Sequence, residues 1–308
     1  MTTNAIQTSH IYSTYFAPRG RSRIYTLGMQ IAQLYLSPFD QIIGFIGEAG
    51  SGKSVLIKGM FPGIELTNDD DGVNVRPLPL LEQEYETGFF TPHTYHLDIR
   101  FETGFHQLSE LADAVRLAVR RGKRIIIEHF DLIYPLLGVN ANLLIGVGEQ
   151  IVITRPNLFG PLPQELCDIV YPSLAYRLMA HSAEDLCEYA MTQEQMLACS
   201  HGDIRHGFVL EFNEHQPDID IPTLEARVNE LIRQDLPIDY YDESHILLGG
   251  AQHYCTGPRT HVRSTGRIIG FRLLDHFIYD HFHKTYMLVG CVGDDSEENI
   301  RKLETIHG

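Results

Sequence analysis

Apolar positions recur along the first half of the chain with two periods, and their alternation predicts its elements. Ile24 to Leu36 (IYTLGMQIAQLYL) has the spacing of an amphipathic helix, and the first forty residues read as a helix and a loop. Gln41 to Ile46 is a short apolar run, read as a buried strand. Ser54 to Phe61 (SVLIKGMF) reads as a helix that Pro62 and Gly63 end. Ile64 to Leu66 reads as a second strand, delivering Asp69, Asp70 and Asp71 at its end. Ser109 to Arg121 is helical in pattern, with Ser109 placed as its N-cap and Gly122 as its stop. Arg124 to Ile127 is a third apolar strand, followed by Glu128, His129, Phe130 and Asp131, and Gln150 to Thr154 is a fourth. Strands alternating with helices predict an α/β domain on a parallel, doubly wound sheet.

The texture changes near residue 175. Tyr176 to Ala190 reads as a helix, Gly207 to Phe212 as a strand, and Pro222 to Gln234 as a helix opened by its proline. Ile238 to Tyr241, His261 to Phe277 and Thr285 to Val292 read as β-structure with turns. The expected organisation is therefore an α/β domain over residues 1–175 and an α+β domain over residues 176–308.

Composition and charge narrow the functions open to such a chain. Its 308 residues, 44% hydrophobic and 21% charged, can build one large core or two ordinary ones. No apolar run approaches a membrane span, and the start of the chain lacks a basic stretch followed by an apolar one. A cytoplasmic protein that makes no use of a membrane is expected. Five cysteines, an odd number with no C-x-x-C pair, argue against a disulfide framework. The net charge of −16 disfavours unaided binding to a polynucleotide, tRNA included. Residues 176–308 carry 11 Lys and Arg against 22 Asp and Glu, so most of that charge lies there.

Candidate chemistry starts at Gly47-Glu48-Ala49-Gly50-Ser51-Gly52-Lys53-Ser54, a full match to G-x-x-x-x-G-K-[ST] between an expected strand and an expected helix. Glycines let the backbone curl so that its N–H groups converge on phosphates, and the helix start adds positive potential. Lys53 is expected to reach the outer phosphates and Ser54 to offer its hydroxyl to Mg²⁺. These residues imply ATP or GTP with Mg²⁺ as ligand and cofactor. A metal-holding carboxylate is expected at a neighbouring strand end, with Glu128 the first choice and Asp131 the second. Asp70, at the centre of the acidic triplet, has two readings: an acid that orients a phosphoryl acceptor, or part of a solvated turn ending at Gly72.

Beyond residue 175 a family pattern appears. Cys255-Thr256-Gly257-Pro258-Arg259-Thr260-His261-Val262-Arg263-Ser264-Thr265-Gly266-Arg267-Ile268 resembles the C-x-G-T-H-V-x-x-T-G-x-I stretch of alanyl-tRNA editing domains, the second additional domain of alanyl- and threonyl-tRNA synthetases. The segment from Gly207 to Ile238 and the helix stretch His181-Ser182-Ala183-Glu184-Asp185-Leu186 resemble the same family in the same order. The resemblance implies a zinc-dependent hydrolase of mischarged aminoacyl esters, with His181, Asp185, Cys255 and His261 as metal ligands. Two departures stand out. Asp185 occupies the place of the family's second histidine, and Pro258-Arg259 lengthens the Cys–His spacing to five intervening residues. Both imply a zinc site weaker than the family's. His201, His206, His245 and His253 are read as structural histidines.

The leading expectation is a phosphate-loop NTPase or kinase-like phosphotransferase whose second domain recognises an amino acid or aminoacyl group. A zinc-dependent editing deacylase regulated by nucleotide is one alternative, and a non-catalytic nucleotide-sensing module is another. A complete synthetase is not expected, because the adenylating domain of such enzymes is not a phosphate-loop fold.

Overall fold

The computed structural model describes residues 12–64, 66, 94–213 and 215–307. They divide into two units, Ser22–Pro172 with the preceding strand Ser13–Phe16, and Ser173–Gly308 with Pro18–Arg21. No helix among the described residues is long and apolar enough to cross a membrane. All five cysteines are free.

The first unit is α/β, built on a six-stranded sheet. Its strands are β1 (Ser13–Phe16), β2 (Ile42–Ile46), β3 (Thr94–Asp98), β4 (Arg124–Glu128), β5 (Leu143–Val147) and β6 (Gln150–Thr154), in the order β1-β6-β5-β2-β4-β3. β3, β4, β2 and β5 run parallel, whereas β6 pairs antiparallel with β5 and with β1. The sheet is therefore mixed, not parallel as the pattern predicted. Only Gly148 and Glu149 separate β5 from β6, and a parallel pair needs a crossover of about a dozen residues, so the two strands can only form a hairpin.

Alternation along β2 splits the core into two layers. Ile42 and Ile46 face the cluster of Leu111, Val115, Phe130, Ile133 and Val170, while Ile43 and Phe45 face Ile24, Ile31, Leu56 and Ile57. The helices supplying these layers are Arg21–Tyr35, Lys53–Met60, Leu108–Arg120, Phe130–Leu137 and the start of Pro163–Ala190. Gln107, not Ser109, caps Leu108–Arg120, and its N–H donates to Glu110 Oε2 at 3.0 Å. The boundary expected near residue 175 falls within the helix Pro163–Ala190, and the two units part between Pro172 and Ser173. The expected strand at Ile64 to Leu66 is not seen: Ile64 and Leu66 are described outside any strand. Asp69, Asp70 and Asp71 lie outside the described residues.

The second unit holds two antiparallel sheets. One is a meander of β9 (Ile238–Asp242), β10 (His245–Leu248) and β11 (Ala251–Tyr254). The other has the order β12-β14-β8-β7, from Arg272–Leu273, Thr285–Cys291, Gly207–Asn213 and Cys199–Ile204, with β13 (Ile278–Asp280) also on β14. Phe208, Leu210 and Phe212 of β8 pack with Ala180, Ala183 and Cys187 of the long helix and with Val228 of the helix Ile221–Arg233. Val209 faces the other side, with Val289 and Ile300. His261 to Phe277, expected to be β-rich, is mostly irregular, holding one 3-10 turn at Thr265–Arg267 and the two-residue strand β12.

Candidate functional sites

In the first unit, parallel pairing sets Phe45 of β2 beside Glu128 of β4 and Asp98 of β3 beside Glu128 on its other side. The chain leaves β2 through Gly47–Gly52 and enters the helix Lys53–Met60. Gly50 and Gly52 take left-handed φ values of 79° and 89°, a conformation that side chains disfavour. A Cβ on Gly47 would lie 2.5 Å from the Val147 carbonyl oxygen. No side chain caps this helix, so its start retains the positive potential of unpaired N–H groups.

Lys53 is buried, and its ammonium donates to the Gly47 and Glu48 carbonyls at 2.9 Å each. It stands 3.8 Å from Glu128 Oε2. Ser54 Oγ donates to Glu128 Oε1 at 3.2 Å, and His96 Nε2 approaches the same oxygen at 3.1 Å. Burial pulls the Lys53 ammonium below its ordinary pKa, with the Glu128 charge opposing. Burial pushes Glu128 up, but the His96 hydrogen bond and charge together with Lys53 more than offset it, and the carboxyl ends below its usual range. Asp98 moves the other way, raised by burial and by the Glu128 charge.

Lys53, Ser54 and Glu128 thus meet at the end of two neighbouring strands. Asp131 instead accepts from the Tyr171 hydroxyl at 3.3 Å. Glu48 pairs with Arg100 at 3.2 Å near the surface. Three further residues escaped the sequence reading: His96, Asp98 and His129. Asp98, Glu128 and His129 offer donor atoms within 4.8 Å of one another. β3 carries no apolar run to announce it, and the register that places Asp98 beside Glu128 has no sequence signature.

In the second unit, His181 and Asp185 lie one turn apart on the long helix, and Cys255 and His261 flank the turn after β11. All four offer donor atoms within 4.8 Å of one another. Cys255 Sγ is 3.4 Å from His181 Nε2 and 3.7 Å from His261 Nε2. Bonds of about 2.3 Å to sulfur and 2.0–2.1 Å to nitrogen at a tetrahedral angle put S and N about 3.6 Å apart. Asp185 Oδ2 is 2.8 Å from His261 Nε2, and its Oδ1 is 3.8 Å from His181 Nε2. The inserted Pro258-Arg259 does not prevent convergence, because Thr260 N–H closes a turn on the Gly257 carbonyl at 2.9 Å.

The ring orientations are held from behind. His181 Nδ1–H donates to the Thr260 carbonyl at 2.9 Å and His261 Nδ1–H to the Pro258 carbonyl at 3.2 Å. A carbonyl cannot donate, so both rings carry their proton on Nδ1 and turn Nε2 toward the cluster. Burial drops the His181 imidazolium to about 3, so that ring is neutral at ordinary pH.

The same helix face buries Glu184 and Glu188. Glu184 takes two hydrogen bonds from the Arg19 guanidinium at 3.1 and 3.0 Å. Burial pushes the Glu188 carboxyl up to about 7, against the pull of His201, whose Nε2 is 3.3 Å from Glu188 Oε1. His206 stacks on Tyr176 and pairs with Asp295 at 2.9 Å, and His245 pairs with Asp242 at 2.9 Å. Comparison with known proteins finds no matching family model and no matching curated protein.

Proposed function

We propose that the first unit binds ATP or GTP with Mg²⁺ through a phosphate-binding loop at Gly47–Ser54 and hydrolyses the nucleotide or transfers its outer phosphoryl group. The observation that carries this reading is the meeting of Lys53, Ser54 and Glu128 beside the left-handed glycines. The parallel strands flanking the loop are what a phosphate-loop fold requires. Bound Mg²⁺ would supply charge neutralisation across the phosphate oxygens. Ser54 and Glu128 are the residues that would hold it. The Lys53 ammonium, resting on two loop carbonyls, would turn to the outer phosphates as a buried point charge. Asp98 takes the acceptor-orienting role expected of Asp70, since its carboxyl stands at a strand end beside Glu128, with Oδ1 accepting from the Phe101 N–H at 3.1 Å. Calorimetry with ATP and GTP on the intact chain and on Lys53→Ala tests the reading, and equal affinity in both proteins defeats it. Binding without turnover favours the sensing module.

A second reading concerns the second unit, favoured by the four converging donors. We infer that His181, Asp185, Cys255 and His261 hold zinc, consistent with the resemblance to editing domains and with aminoacyl-ester hydrolysis. Two imidazoles, a thiolate and a carboxylate suit zinc, and the backbone carbonyls behind both rings fix the donor atoms inward. Four protein donors close a tetrahedral site, so a reacting water or ester needs a further coordination position. Metal analysis of the purified chain, paired with an assay on aminoacyl esters, tests both parts.

A further inference from the structure

The long helix buries Glu184, Asp185 and Glu188 within little more than a turn. Buried carboxylates need a partner or a metal. Glu184 has Arg19 and Asp185 belongs to the four-donor cluster, which leaves Glu188 among histidines, with the Cys199 thiol 3.6 Å from its Oε1. Across from it, on β11, stands His253, only 8% exposed. Its Nε2 is buried and makes no hydrogen bond, and Glu188 Oε2 lies 4.0 Å away, too far for one. Asp185, Glu188 and His253 nevertheless offer donor atoms within 4.8 Å of one another. A buried imidazole nitrogen without a hydrogen bond, turned toward two buried carboxylates, is a costly arrangement unless something sits between them.

We propose that Asp185, Glu188 and His253 form a second divalent-metal site on the same helix face, joined to the four-donor site by the two oxygens of Asp185. This rests on the reading of that cluster as a metal centre only through the shared carboxylate. Two carboxylates and one imidazole suit a first-row divalent ion such as Zn²⁺, Mn²⁺ or Co²⁺. His201, held against Glu188 at 3.3 Å and more exposed than the others, marks the open side. Three protein donors leave coordination positions for water or a carbonyl oxygen, which the closed four-donor site lacks. The closed site positions Asp185, and the open site is where a small oxygen ligand would be bound.

The test is a Co²⁺ titration of the intact, metal-stripped chain, following both bound equivalents and the thiolate-to-cobalt absorption band. Cys255 gives that band at the four-donor site, and Cys199→Ala, which removes a sulfur 3.6 Å from Glu188 Oε1, is made in every protein compared, the otherwise unaltered chain included. Glu188→Gln and His253→Gln should each bind one equivalent fewer than the unaltered chain and keep the band at full strength, with unchanged circular dichroism. A cation held at the phosphate-binding loop is common to all three proteins and cancels in the difference. Equal stoichiometry in the unaltered chain and in either folded variant overturns the second site. Absence of the band in the unaltered chain defeats the four-donor reading instead, and the difference in equivalents still reports on Glu188 and His253.

Discussion

The two candidate sites balance buried charge in opposite ways. At the Gly47–Ser54 loop the chain supplies its own cation: Lys53 is buried 3.8 Å from Glu128, and a further histidine supports the same carboxylate. At the His181 cluster, two histidines, a cysteine and an aspartate meet, and the buried Arg19 guanidinium, whose charge reaches Asp185, is hydrogen-bonded to Glu184. The first arrangement leaves positive potential for an anion, with one carboxylate in reserve for a hydrated metal. The second leaves donor atoms facing one another, the arrangement on which the proposed zinc site rests. What a site attracts follows from which charge the fold has left unmatched, not from how many polar residues it gathers.

That contrast can be broken at either end. The largest effect is expected for Lys53→Ala, which removes the loop's buried cation. Triphosphate affinity should fall by about a hundredfold or more, the loss of one or two charge-assisted hydrogen bonds, while circular dichroism stays the same. Calorimetry measures it, and an unchanged dissociation constant would show that the loop carries no phosphate. Next comes Cys255→Ser at the other site. Zinc affinity, read by competition with a chromophoric chelator, should drop by at least about a hundredfold, because losing a direct ligand exceeds the loss of an outer-shell partner. Chelation should lower the melting temperature of the unaltered chain but not that of the variant.

A smaller change sharpens the first site. Glu128→Gln should retain nucleotide binding and lower turnover by at least about tenfold, because the hydrogen-bonding partner of Ser54 loses its charge. If Asp131→Asn lowers turnover and Glu128→Gln does not, the metal-holding role moves three residues along the chain. The smallest effect concerns a carboxyl of the same unit that no cation matches in the way Lys53 matches Glu128. Glu102 is buried with Oε1 making no hydrogen bond, and burial, with the charge of Asp98, pushes its pKa from 4.5 up to about 7. A folded value above the unfolded one means that its contribution is full below pH 4.5 and is lost as pH rises toward 7. Glu102→Gln should flatten the urea midpoint of this unit over that window and raise it at pH 8. A midpoint that stays parallel to the unaltered chain would show that Glu102 is ionised in the folded state.

Legibility differed between the sites for a physical reason. The loop is contiguous, its glycines are needed for backbone shape, and the apolar run before it marks the strand. Glu128 could be placed because it follows an uninterrupted run from Ile125 to Ile127. Asp98 could not, because the alternation over Thr94–Asp98 is only five residues long and its place beside Glu128 comes from pairing with β4. In the second unit, His181, Asp185, Cys255 and His261 were singled out through a family resemblance, and their spacing alone would not have joined residues 74 positions apart. His253 reads as structural in the sequence, since a lone histidine on a short strand has no pattern that distinguishes a ligand from a packed ring.

The amino-acid order alone settled what depends on neighbours along the chain: helical and extended periods, the glycine turn ahead of Lys53, the acidic balance and the absence of a membrane-length apolar run. Folding settled the rest. The antiparallel turn from β5 into β6, Asp98 beside Glu128, and the histidines, cysteine and carboxylates gathered around Asp185 all depend on strand order, register and the packing of a helix face. Those are properties of surfaces brought together across long stretches of chain, and the free energy that selects them is summed over the whole core, not written into any short segment.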